Sequence, residues 1–195
     1  MKNASRSSPK ALRGFTLIEL IVVMAIFAVI SIGVIANYSR YDSSMLLGSL
    51  AYDIALSVRE AQVYGLSVKG YSSNFQVGYG IRFANSSTYT FFADTNANKV
   101  YDSGVDSIID TYSVGGGHSI TRYCTVDSLN QTKCSDDASP IHHLDVVFFR
   151  PDPDANISSD KGSLYSSAKI VVASPSGETR TVTIQSTGQI SVTNP

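Results

Sequence analysis

Four groups of residues in this 195-residue chain have types and spacings suited to chemistry. The longest is Asp94-Thr-Asn-Ala-Asn-Lys-Val-Tyr-Asp102-Ser-Gly-Val-Asp106. Side-chain oxygens stand at its positions one, three and five (Asp94, Asn96, Asn98), nine (Asp102) and thirteen (Asp106), and Val100 at seven offers a carbonyl. Oxygens alternating in this way can wrap a hard cation such as calcium. Cys124 and Cys134 are the only cysteines, and a pair so spaced can form a disulfide, remain as thiols or ligate a metal. His118, His142 and His143 are the only histidines, and no zinc-ligand spacing links them to the cysteines. The fourth group is a single acid, Glu19, alone in an apolar run.

Each group has a plainer explanation. An EF-hand-like calcium loop has Gly where this chain has Lys99, for a sharp turn, and a bidentate Glu where it has Val105. Asn and Asp favour turns in any case, so a β connection explains the same residues. No cofactor is expected beyond this candidate calcium. Adjacent histidines on a strand would point to opposite faces, as ordinary surface or half-buried side chains. Catalysis has little support. No G-x-S-x-G elbow appears among the many serines, no His–Asp–Ser set can be placed, and no Gly-rich phosphate loop opens a helix. The chain is expected to be an enzyme's substrate and not itself an enzyme.

Glu19 leads back to the element that holds it. Phe15 to Ile35 is 21 residues with Glu19 as the only charge. A helix of that length is roughly 30 Å long, the thickness of a bilayer core. Residues 1–14 carry Lys2, Arg6, Lys10 and Arg13 and no acid. The positive-inside rule then keeps residues 1–14 in the cytoplasm and exports the remainder. A secretory signal would have a shorter apolar run and a small-residue cleavage site, and none is evident around Ile35–Tyr38. An ordinary anchor would not bury a carboxylate at a cost of about 2.5–3.5 kcal/mol. An acid at this depth is therefore expected to have a partner.

Arg13-Gly14-Phe15-Thr16-Leu17-Ile18-Glu19, followed by unbroken hydrophobics, resembles the type IV prepilin signature. The resemblance implies cleavage between Gly14 and Phe15 by a prepilin peptidase, and N-methylation of Phe15. It further implies that Glu19, the assembly carboxylate, pairs with the terminal amine of a neighbouring subunit. Its implied partners are the prepilin peptidase, other pilins or pseudopilins, an inner-membrane assembly platform and membrane lipid. The implied location is the bacterial inner membrane, in a single pass with an exported head, and then a filament. Physical chemistry is consistent with each step. Gly14 lets an extended backbone enter a narrow protease groove. Cleavage removes four positive charges and creates an amine one helical turn from Glu19. Pairing the two relieves the cost of isolated charges and sets the register between subunits.

Beyond Ile35, Asn37–Ser44 is polar, and then Leu47, Leu50, Ile54, Val58 and Ala61 recur at intervals of three and four. This is one face of an amphipathic helix, with Asp53, Arg59, Glu60 and Gln62 largely off it and Gly65 as its stop. One helix over about Phe15–Tyr64 is expected. Short β segments follow near 75–83, 88–93, 107–114, 119–126, 144–150, 168–173, 179–185 and 189–193. The fold class is α+β: a long N-terminal helix packed on one mainly antiparallel sheet. The expected divisions are a leader at 1–14, a membrane or filament-core helix at 15–36, an amphipathic helix at 37–66 and a β-rich head at 67–195. Ser57-Val-Arg-Glu-Ala-Gln, the strand order and the closing hairpin also resemble, more loosely, the H-type minor pseudopilins of type II secretion. In an exported head, two cysteines favour a Cys124–Cys134 disulfide that contributes about 2–3 kcal/mol.

The function implied is a structural minor pilin or pseudopilin of a type IV pilus or type II secretion filament. The rival is a DNA- or ligand-binding tip pilin of an uptake or adhesion system. A third possibility is a merely anchored extracytoplasmic domain. Charge opposes nucleic acid as a partner. The whole chain has a formal net charge of −1, and after the basic leader 11 bases face 16 acids. Lys169 and Arg180 lie near the last hairpin, but the tail Ser191-Val-Thr-Asn-Pro has no base, and an acidic head repels phosphate.

Overall fold

The computed structural model describes residues 14–67, 70–71 and 75–194. The chain divides into two compact units, Met1–Tyr41 and Asp42–Pro195. Apart from Gly14, the expected leader lies outside the described residues. One helix, α1, runs Leu17–Leu66. Its segment Leu17–Ile35 is long and apolar enough to cross a membrane, and none of that segment is buried.

In the second unit α1 buries Leu47, Ala51, Ile54, Val58 and Ala61 completely. The intervals of four, three, four and three keep these side chains on one helical face. Leu50, expected on that face, sits half-buried at its margin, while the smaller Ala51 takes the centre. Gln62, expected off the face, is 5% exposed, and its Nε2 donates to Pro153 O at 3.0 Å and Gly188 O at 3.2 Å. A buried amide needs such partners. Gly188 adopts φ 79°, and a Cβ there would collide with the Pro153 carbonyl and the Gln62 side chain. Gly65 was expected to end the helix, but α1 continues to Leu66. The glycine instead lets the last turn approach the backbone of Phe148, which a Cβ would meet at 2.5 Å.

Eleven strands follow. They are β1 Gly78–Phe83, β2 Thr88–Asp94, β3 Ser107–Ser113, β4 Ser119–Val126, β5 Thr132–Cys134, β6 Leu144–Phe148, β7 Ala155–Ser159, β8 Gly162–Ser163, β9 Ser167–Ala173, β10 Thr179–Gln185 and β11 Ile190–Thr193. They form two sheets where one was expected, ordered β3-β2-β1-β6-β7-β8 and β11-β10-β9-β4-β5. All of the described pairings are antiparallel. β5, β7 and β8 are additions to the expected set. They are short or built from Asn, Ser and Gly, which carry little strand signal.

Alternation along the strands builds the core. Tyr79, Ile81 and Phe83 of β1, Phe91 of β2 and Leu144, Val146 and Phe148 of β6 join Ile170, Val172, Val182 and Ile184 of the second sheet in one buried cluster with the α1 stripe. Each such side chain contributes roughly 1.5–3 kcal/mol on burial. The opposite face of β1, β6 and β7 carries Arg82, Asp145 and Ser158, and the loop between β2 and β3 covers it.

Candidate functional site

The N-terminal motif begins outside the helix. Gly14 is exposed, and a Cβ added to it would meet nothing within 4 Å. Phe15 is 85% exposed. Thr16 caps α1: its Oγ1 accepts the Glu19 N–H at 3.3 Å, and its carbonyl accepts the Leu20 N–H at 3.2 Å. Thr16-x-x-Glu19 is thus a capping-box sequence, a signal that the sequence reading passed over. Glu19 stands in the first turn, where an acid complements the helix dipole. Its side chain is exposed and makes no salt bridge among the described residues.

The Asp94–Asp106 loop closes on itself. The fully buried Asp94 accepts the N–H groups of Asn98 at 3.3 Å and Lys99 at 2.7 Å. The amides of Asn96 and Asn98 donate to Asp102 Oδ2 at 2.9 and 2.6 Å. Asp106 accepts from Thr95 N at 2.9 Å and from Asp102 N at 2.7 Å. Val100 gives its N–H to Asn98 Oδ1 at 3.0 Å. Lys99 adopts φ 70°, the left-handed conformation that the Gly of an EF-hand-like loop supplies. Val105 is 56% exposed and brings no carboxylate. Burial raises the Asp94 pKa, the Lys99 N–H opposes that, and the charge of Asp106 adds to it. Among the described residues, one trio of His, Cys, Asp or Glu ligand atoms lies within 4.8 Å of one another: Cys134, Asp136 and Asp137. The sulfur of that trio is in a disulfide.

The same loop roofs a buried charge. Arg82 Nη1 donates to Asp145 at 3.0 and 3.3 Å and to Tyr101 O at 3.4 Å. Tyr101 N donates to Asp145 Oδ2 at 3.3 Å, and the Arg82 guanidinium lies 5.0 Å from the Tyr101 ring centroid. Ser158 Oγ donates to Lys99 O at 3.3 Å. Asp145 is fully buried, and burial raises its pKa to about 6 against the pull of Arg82. His143 Nε2 stands 3.8 Å from Asp145, and burial first, then Arg82, lowers the His143 pKa.

The remaining candidates separate. Cys124 and Cys134 face each other across β4 and β5 and form a disulfide with Cα atoms 4.0 Å apart. His118 is buried, with Nε2 at 3.2 Å from Ser43 O. His142 Nδ1 pairs with Asp160 at 2.8 Å. Some burial raises the Asp160 pKa, but the hydrogen bonds from His142 outweigh it and hold Asp160 at about 2.

Residues 10–35 match a family model described as the prokaryotic N-terminal methylation motif. The match supports a type IV prepilin-like protein processed by prepilin peptidase. The apolar helix together with the motif supports membrane anchoring, and a helix followed by antiparallel sheets is the α+β, pilin-like architecture. Proteins marked by this motif are structural, not catalytic. No curated protein and no solved structure matches the chain.

Proposed function

We propose that the chain is a minor pilin or pseudopilin, cut between Gly14 and Phe15, methylated on Phe15 and assembled into a filament through its apolar helix. The reading places the leader in the cytoplasm and the head outside the inner membrane. It keeps the H-type pseudopilin as the nearest subtype and Glu19 as the partner of a neighbouring subunit's amine. The observation that carries it is the motif at residues 10–35 together with Gly14. Gly14 has open space where a side chain would be. No contact within the described residues calls for a glycine there, whereas a protease groove does. Mass spectrometry of material from native membranes is expected to find a chain beginning at methylated Phe15. A chain still beginning at Met1 would overturn the reading.

The rival tip-pilin reading has one favourable feature. Arg122 and Lys169 line a shallow groove of about 380 Å³ on the second sheet, among Thr181, Thr183 and Thr193. Arg122 already lies 3.6 Å from Asp136, and the residues after the leader are acidic in sum. A gel-shift titration with duplex DNA is expected to show no complex at physiological salt.

A further inference from the structure

Among the described residues, the first sheet has a free edge at β3, which pairs with β2 alone. Beside that edge lies a groove of about 560 Å³. Asp53 and Glu60 of α1 line one side of it, and Asp110 and Thr111 of β3 line the other. Tyr89 and Tyr112, stacked with ring centroids 5.0 Å apart, also line it. Its described lining holds three carboxylates and no Lys, Arg or His. Burial first, then the charges of Glu60 and Asp110, push the Tyr112 pKa up to about 12.

Backbone direction alternates along an edge strand. Val114 gives its N–H inward to Ser87 O at 2.7 Å, and Tyr112 and Asp110 share that direction. Thr111 and Ser113 therefore turn their N–H and C=O groups to the free side. Native edges are usually blunted by Lys, Pro, a bulge or short length. The seven residues of β3 include no Lys or Pro. Its irregularity lies at the other end, opposite Phe91 and Phe92, where Ile108 and Ile109 are 54% and 39% exposed. The Asp110–Ser113 stretch is thus an open pairing template flanked by acid and by exposed apolar surface.

We propose that this edge and groove dock an extended segment of another polypeptide, which pairs with Thr111 and Ser113 and places Lys or Arg against Asp53, Glu60 and Asp110. Main-chain bonds supply the attachment and the acids supply the choice of side chain. A second copy bound through the same edge would bring a second acidic groove against this one, so the occupant is a basic segment of a different protein. The inference does not depend on the cleavage reading.

The probe is a display library of random twelve-residue peptides, selected on the full chain in lipid nanodiscs. Selection is expected to enrich peptides with Lys or Arg at alternate positions. By fluorescence anisotropy, a synthesised winner should bind at least tenfold more weakly to a double variant, Asp53→Asn with Glu60→Gln. Thr111→Pro should abolish binding, because its ring takes the free side where no bond to β2 is lost. Melting curves establish that each variant is folded, and the double variant decides if Thr111→Pro is not. The proposal fails if no peptide is enriched, if the winners lack basic residues, or if the double variant binds as tightly as the parent.

Discussion

Residues 14–35 and the head use side chains in opposite ways. In the first stretch every residue is exposed. A Cβ at Gly14 would meet nothing within 4 Å, Phe15 is exposed and Glu19 makes no salt bridge among the described residues. In the head, no buried side-chain nitrogen or oxygen among the described residues lacks a hydrogen-bond partner. Even Asp145, with no exposure, is met by Arg82 and the Tyr101 N–H. On the function proposed above, residue choices in the stretch answer to molecules outside the chain, while those in the head answer mainly to the head itself. Substitutions should divide accordingly: the stretch should lose processing and assembly with its stability unchanged, and the head should lose stability first.

The sharpest break would come at Gly14. Gly14→Val is expected to abolish processing, read as a precursor-length band in membranes, with the head's melting temperature unchanged. A mature-length band would remove the cut site. Glu19 comes next, because two roles coincide on it. Glu19→Val loses both the charge and the capping-box residue, whereas Glu19→Gln keeps a side chain that can serve the box. Insertion is expected to survive in both variants, and incorporation into filaments to fall severely in both. If Gln restores incorporation, the acid acts at the helix start and not on a neighbour's amine.

The legibility of the chain followed the same division. The motif at Gly14–Glu19 was readable because its residue types are unusual for their place: a glycine before a helix and an acid in an apolar run. The α1 stripe and eight of the eleven strands were readable from periodicity and strand-forming residues. β5 was missed because three residues cannot display alternation, and β7 because Asn156, Ser158 and Ser159 resemble a loop. The split into two sheets was also hidden, because strand order depends on which hairpins stay together and not on any local pattern. Gln62 looked exposed by type and is buried by its bonds to Pro153 and Gly188. Thr16 as a cap was within reach of the sequence and was passed over for the larger motif that contains it.

Within the head the largest single effect is expected at the disulfide. Replacing Cys124 and Cys134 together by Ala frees a closed loop of about ten residues and should cost about 2–3 kcal/mol. In a chain of this length that is a fall in melting temperature of about 5–10 °C. An unchanged melting temperature would show that the β4–β5 hairpin keeps its register without the bond.

A smaller effect separates the two acidic partnerships of the head by sign. Asp145 has a folded pKa near 6, raised from 3.8, so its contribution is fully present below about pH 4 and is lost as pH rises through 6. Asp160, held at about 2, contributes above about pH 4 and loses that contribution as pH falls through 2. Asp145→Asn should therefore gain on the parent in melting temperature as pH rises from 4 to 6. The opposite slope would mean that Arg82 outweighs burial.

Calcium is expected to produce the smallest change. The Asp94–Asp106 loop has the left-handed Lys99 and the converging Asn96, Asn98 and Asp102 of a cation loop. Yet Asp94 and Asp106 already accept backbone N–H groups, and Val105 offers no second anchoring carboxylate. An ion would have to displace Asn96 and Asn98 from Asp102 before gaining its oxygens. With a Kd of ~1 mM, ~1 mM calcium would add only ~0.4 kcal/mol, a shift of ~1 °C. Melting with calcium against chelator is expected to differ by no more than that, with Asp94→Asn behaving alike in both. A rise of several degrees that Asp94→Asn removes would mean that this loop, like Glu19, carries a residue set chosen for something outside the chain, and the contrast between the two regions would no longer hold.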